Sequence, residues 1–176
     1  MEDINLWQSM ITSVFALLGV LIGGLVTYLV QTKSKEKEHR ALCKSLSLAI
    51  AAEIEAYLDL ILIRDHTKYA KTIIELNKNG IKTLPKDWVS GFERGIESFP
   101  VITANLSNIG SLGSSCSDVV AFYSQAMAVR LTLMGVSDGK YDEATATDLE
   151  RMFQGELELW GKTEYLGRNV IKSLRR

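Results

Sequence analysis

INLWQSMITSVFALLGVLIGGLVTYLVQT, residues Ile4–Thr32, contains no charged side chain. At about 1.5 Å per residue a helix of this length is roughly 43 Å long, and a bilayer hydrocarbon core is about 30 Å thick. The run therefore predicts one transmembrane helix at the N-terminus. A cleaved signal peptide would open on basic residues, carry a shorter apolar core and end at a small-residue cleavage site. Here Glu2 and Asp3 are acidic, the apolar core is long, and no A-x-A-like site follows. A buried helix of a soluble domain is rarely so long or so uniform. Trp7 and Tyr28 stand near the two ends, where aromatic rings favour the membrane–water interface.

Charge sets the orientation. Lys33, Lys35, Lys37, Arg40 and Lys44 follow the run, whereas acidic residues precede it. The positive-inside rule places the basic flank in the cytoplasm. The expected organisation is a short outside tail and a span over residues 1–32, then a cytosolic domain over residues 33–176. The expected location is the inner (cytoplasmic) membrane, crossed once. Cys43 and Cys116 would then meet a reducing compartment and remain thiols. The net charge of −1 is uninformative, because the charges are unevenly distributed along the chain.

Small residues within the run are ordered. Ser9, Thr12, Ala16, Gly19 and Gly23 are spaced three, four, three and four apart, and the last two form a GxxxG pattern. Helices in lipid associate by close packing, so such a stripe predicts a self-association or pore-lining face in a homo-oligomer. The competing reading is a chance alignment of residues common in spans. Gln8, Ser9, Thr12 and Ser13 make the outer third mildly polar, and Thr27 and Gln31 sit at the inner end. Between Val14 and Val26 only the backbone is polar, so a pore there would be narrow and would close by dewetting. The run holds no ionisable residue, which leaves no basis for a charged selectivity ring or proton relay within it.

Beyond Thr32 the chain reads as all-α. The charges alternate through KSKEKEHR, and no Gly or Pro interrupts the chain before Gly80. Leu42, Leu46, Ile50, Ile54, Tyr57 or Leu58, and Ile61 recur at helical spacing, so the span is expected to continue as a rod into the cytosol. The pattern is clear to about Ile63 and continues less cleanly through Ala70, Ile73, Ile74 and Leu76 to a stop at Asn79-Gly80. Residues 80–95 read as a loop with a short helix bearing Trp88 and Phe92, and Pro100 opens another that ends near Gly110. Ser115-Cys116-Ser117-Asp118 resembles a capping box, before a helix through Val119, Val120, Phe122, Tyr123, Met127, Leu131 and Met134 to Gly135. A final helix carries Leu149, Phe153, Leu157, Trp160, Ile171 and Leu174. Its interior Gly155, Gly161 and Gly167 each cost up to about 1 kcal/mol relative to Ala. Together these elements predict one helical bundle.

No catalytic residue, metal ligand set or cofactor motif is read in the chain. A Walker-type loop, G-x-S-x-G, H-E-x-x-H and paired C-x-x-C are all absent from the sequence. Glu53 and Glu55 diverge on a helix, and His39 and His66 lack ligand-type neighbours. Two basic groups remain as possible lipid or ligand contacts. One is the flank Lys33, Lys35, Lys37, Arg40 and Lys44, suited to anionic lipid. The other is Arg168, Lys172, Arg175 and Arg176, where cations also favour a helix C-terminus. In a homo-oligomer either group would repeat as a ring able to hold a nucleotide or nucleic acid.

The stretch FPVITANLSNIGSLGSSCSDVVAFYSQ, Phe99–Gln125, combines a Pro-led helix, the corner Ile109-Gly110-Ser111-Leu112 and the pair Phe122-Tyr123. It resembles small bacterial single-span membrane proteins with a cytosolic helical domain, and the layout is similar to Hailong-type anti-phage membrane effectors. The resemblance implies an oligomeric channel controlled by a nucleic-acid product, and it carries no ligand residue over. The sequence thus supports a homo-oligomeric membrane effector, a gated pore in bacterial defence. The alternative is a non-conducting anchored adaptor whose bundle binds a protein partner.

Overall fold

The computed structural model describes residues 2–86 and 99–176, with side chains described from Val20 onward. The short helix expected around Trp88 and Phe92 lies outside the described residues, as do the side chains of Trp7, Ser9, Thr12, Ala16 and Gly19. The described chain is helical, with no strand among the described residues. Its helices are α1 (Glu2–Ile63), α2 (His66–Lys78), α3 (Pro100–Ala104), a 3₁₀ segment (Leu106–Ser115), α4 (Cys116–Ser137) and α5 (Ala146–Leu174). The chain divides into two compact units, residues up to Lys44 and Ser45–Arg176.

In the first unit α1 is helical backbone throughout. Its large apolar side chains from Val20 to Val30 are all exposed, as is Leu42. The hydroxyls fold back on their own helix: Thr27 donates to the Gly23 carbonyl at 2.8 Å and Thr32 to the Tyr28 carbonyl at 2.9 Å.

The second unit is a bundle centred on α5. Thr145 starts α5 with a capping box: its hydroxyl accepts from the Asp148 amide at 3.2 Å, and the Asp148 carboxylate accepts from the Thr145 amide at 3.3 Å. This pair satisfies two otherwise unpartnered amides. The buried residues of α5 are Leu149, Phe153, Glu156, Trp160, Thr163, Gly167, Val170 and Leu174. They alternate by four and three, the spacing that keeps one helical seam facing its neighbours.

Two apolar clusters lie along that seam. One joins Ile50, Ile54 and Leu58 of α1 to Phe122 and Ala126 of α4 and Val170 and Leu174 of α5. The other joins Ala70 and Ile73 of α2 to Val129, Leu133 and Val136 of α4 and Phe153 and Trp160 of α5. The order of these contacts makes α5 antiparallel both to α4 and to the α1–α2 pair.

Glu53 of α1 ties the short elements to the bundle. Its carboxylate accepts from the Val101 and Ile102 amides at 2.7 and 3.2 Å and from the Tyr123 hydroxyl at 2.5 Å. A carboxylate favours the amide end of a helix, so Glu53 fixes where α3 begins. The Tyr57, Phe99, Phe122 and Tyr123 rings meet edge-on around it, with centroids 4.8–5.9 Å apart. The Phe122-Tyr123 pair is therefore core packing.

Several expectations change on the structure. The clear periodicity ends with α1 at Ile63, and the weaker pattern beyond it belongs to a separate helix, because Asp65 adopts a left-handed conformation (φ 49°) and starts α2 afresh. Asp is among the few side chains that tolerate this region. The Ser115 capping box does not form; Ser115 instead shares a hydrogen bond with Ser173 at 2.7 Å, and its backbone is already helical. The corner turns at Gly113 (φ 59°, ψ −127°), after the expected position at Gly110. Met127, Leu131 and Met134 of α4 are exposed, while Ala126, Val129 and Leu133 are buried. Among the described residues, the helical stretch Leu106–Ser137 is long and apolar enough to cross a membrane, with 44% of its apolar window buried. The stretch is kinked at Gly113, and burial of Val119, Phe122 and Val129 in the domain core accounts for part of its apolarity.

The three α5 glycines are not equivalent. A Cβ on Gly167 would stand 2.8 Å from Phe122 Cε2 and 3.0 Å from Leu58 Cδ1, whereas at Gly155 and Gly161 nothing lies within 4 Å. Gly167→Ala should destabilise the domain by about 1–3 kcal/mol through overpacking. Gly155→Ala and Gly161→Ala should each stabilise it by about 0.5–1 kcal/mol. Denaturant midpoints of the full chain in detergent measure the three, and equal shifts would refute the packing argument.

Candidate functional site

The residues expected to act fall into distinct places. Of the small-residue stripe, Gly23 is described, and nothing lies within 4 Å of a Cβ built on it. The helix surface there is open to a close neighbour. The basic flank Lys33, Lys35, Lys37, Arg40 and Lys44 is exposed, and Arg40 reaches Glu36 at 3.7 Å.

The C-terminal basic group is interleaved with carboxylates. Arg168 donates to Glu164 at 2.8 Å, and Arg175 donates through both terminal nitrogens to Glu55 at 3.2 and 2.5 Å. Lys172 shares a shallow depression with Glu55 and Asp59, and Arg176 is exposed. These pairs are half-exposed and contribute little to stability, but they lower the local positive potential. The arrangement therefore favours a role in holding the end of α5 to α1 over one in binding an anion. Glu53 and Glu55 indeed point to different partners, the α3 amides and Arg175. Cys43 and Cys116 are both thiols.

Two further features have no motif in the sequence. The first is a pocket of about 290 Å³ bordered by Leu58, Ile61, Leu62, Leu157 and Trp160, with Asp65, His66, Thr67 and Glu164 adding polarity. His66 is 1% exposed and meets the Trp160 ring edge-on at 5.0 Å. Burial, assisted by the nearby Arg64 charge, holds the imidazole down to about 4. One turn away, Glu156 is buried with its Oε2 unpartnered among the described residues. Burial pushes its carboxyl up, against the opposing pull of Thr132 and Trp160. The histidine is held neutral between an indole and apolar walls. It reads as a packed core polar group, and no three His, Cys, Asp or Glu residues gather to hold a metal among the described residues.

The second feature is the outward face of α4. Val120, Met127, Leu131 and Met134 are 47, 40, 60 and 37% exposed. Val120, Met127 and Leu131, with Ile102, Leu106 and Ile109, border an open apolar groove of about 390 Å³. The sequence signal was present as an α4 that is apolar on every side. Such a helix cannot turn all of its apolar residues into one bundle core.

No protein family, curated protein or solved structure matches this chain.

His66 gives the domain a predictable acid response. The unfolded histidine takes up a proton below about pH 6.5, the folded one only below about 4. Unfolding therefore absorbs a proton between those values, and stability falls as pH drops through the window. Lowering the pH from 7 to 5 should remove about 2 kcal/mol through this group. His66→Phe should flatten that part of the profile, which urea titrations at the two pH values would read. An unchanged slope would mean that His66 is not the titrating group.

Proposed function

We propose that the chain is a single-span, homo-oligomeric membrane effector. Residues 4–32 cross the inner membrane with the N-terminus outside, and the α5-centred bundle lies in the cytoplasm, where it controls a pore. The observation that carries this reading is the exposed apolar surface of α1. Val20, Leu21, Ile22, Leu25, Val26, Leu29 and Val30 are between 49 and 74% exposed. Leaving each in water forfeits roughly 1–2 kcal/mol, a cost that lipid removes. The Thr27 and Thr32 hydroxyls are already satisfied by their own helix, as an apolar surrounding requires. The exposed basic flank begins where the apolar surface ends and suits the anionic cytoplasmic leaflet.

Assembly is assigned to the Ser9, Thr12, Ala16, Gly19 and Gly23 stripe, and the layout resemblance to anti-phage effectors points to a pore as its product. The trigger belongs to the cytosolic bundle. A nucleotide or nucleic-acid trigger is the less favoured form, given the carboxylates beside Arg168 and Arg175.

The detergent-corrected mass of the full chain, with planar-bilayer recording on the same sample, tests this proposal. A ring of four or more copies that conducts is expected. Gly19→Leu with Gly23→Leu should reduce both mass and conductance. A silent monomer or dimer would overturn the pore and leave an anchored adaptor.

A further inference from the structure

The outward face of α4 has an order that the bundle does not use. Val120, Ser124, Met127, Leu131 and Met134 follow one another by four, three, four and three residues, and all five are exposed. The buried seam of α5 has the same spacing. This is the pattern by which a helix packs lengthwise against another helix. Ala121 and Ala128, also exposed, lie beside the seam and would let a second backbone approach closely. None of the five seam residues is charged, and Arg130, beside the seam, is half-buried. Depletion of charge at the centre is what separates an interface core from ordinary surface.

We infer that this face pairs with the same face of a second copy of the chain, α4 against α4 about a two-fold axis passing near Met127. The inference rests on the oligomeric reading above: the two-fold contact joins the cytosolic domains in pairs, and assembly beyond a pair is left to the α1 stripe. Symmetry makes one patch serve as both halves of the contact. In an antiparallel pair Val120 meets Met134, Ser124 meets Leu131 and Met127 meets itself, so each large side chain finds a small or flexible partner.

The area is sufficient. Val120, Met127, Leu131 and Met134, with Leu106 at 61% exposed, leave roughly 400 Å² of apolar surface per copy, within the size range of functional patches. Two copies would bury about 800 Å² of apolar area. At the roughly 65% apolar share of homodimer contacts this corresponds to about 1,200 Å² in total, the lower bound for a specific interface. Anchoring in one bilayer raises the effective concentration of copies, which lets a contact of this modest size form.

Cross-linking on the full chain in its membrane tests the pairing. In a Cys43→Ser, Cys116→Ala background, Met127→Cys places a thiol at the axis, and Tyr165→Cys places one on exposed α5 outside the face. Mild oxidation should give about tenfold more covalent dimer from Met127→Cys than from Tyr165→Cys, and adding Leu131→Glu should abolish that excess. Circular dichroism of each variant confirms that it is folded. A chain that is oligomeric by mass, gives no Met127→Cys dimer and reacts there with a water-soluble maleimide has an open face, which overturns the pairing and leaves the oligomeric reading standing. Protection from maleimide without a dimer means that lipid or another protein covers the face, which also overturns it. A monomer by mass overturns the oligomeric reading itself.

Discussion

The rest of the domain depends on the four-three seam of α5. Every other long element packs on it, and its non-apolar members set the fit. Gly167 admits the Phe122 ring and Leu58 to the helix surface, closer than any side chain would allow. Thr163 returns its hydroxyl to the Leu159 carbonyl at 2.8 Å and so stays polar without cost to the core. Glu156 is the exception, a carboxyl buried beside Trp160 whose charged form the surroundings disfavour. Because α5 is antiparallel to both α4 and the α1–α2 pair, a bend in either neighbour must be matched along this seam. The break at Asp65 falls between the two apolar clusters, near Trp160.

The helical character of the chain was legible because it rests on periodicity. Ile50, Ile54 and Leu58 in α1 and Leu149, Phe153, Trp160 and Leu174 in α5 are spaced as a buried stripe must be, and they are buried. Breaks made by residues other than Gly or Pro were not legible. Asp65 ends α1 with a left-handed backbone that a composition reading does not anticipate. The Ser115 cap failed for a local reason: Ser115 is itself in helical conformation, and the Cys116 amide is taken by the Gly113 carbonyl. Glu53 was equally hidden, since its partners are amides roughly fifty residues away in sequence. α4 misled most, because its sequence is apolar on all sides and does not announce which residues face inward.

Both unpartnered apolar surfaces have a single physical meaning. Large aliphatic side chains on α1 and on the outer face of α4 gain nothing from the fold of one chain, and each gains from an environment that one chain does not contain. For α1 that environment is read as lipid, because the uncharged run is long and a basic flank follows it. For α4 it is read as another helix, because the exposed residues keep heptad order and cover the area of one interface. Two of the C-terminal basic side chains expected to hold a ligand, Arg168 and Arg175, are instead paired with Glu164 and Glu55, which moves the search for a trigger away from the C-terminus.

Membrane topology is the most direct test of the central claim that residues 4–32 cross the inner membrane with the bundle inside. Protease added to right-side-out and to inverted membrane vesicles of a cell expressing the full chain reads it. The bundle should be digested in inverted vesicles alone, leaving a short membrane-embedded fragment that resists a carbonate wash. Digestion in right-side-out vesicles, or release of the intact chain by carbonate, would contradict it.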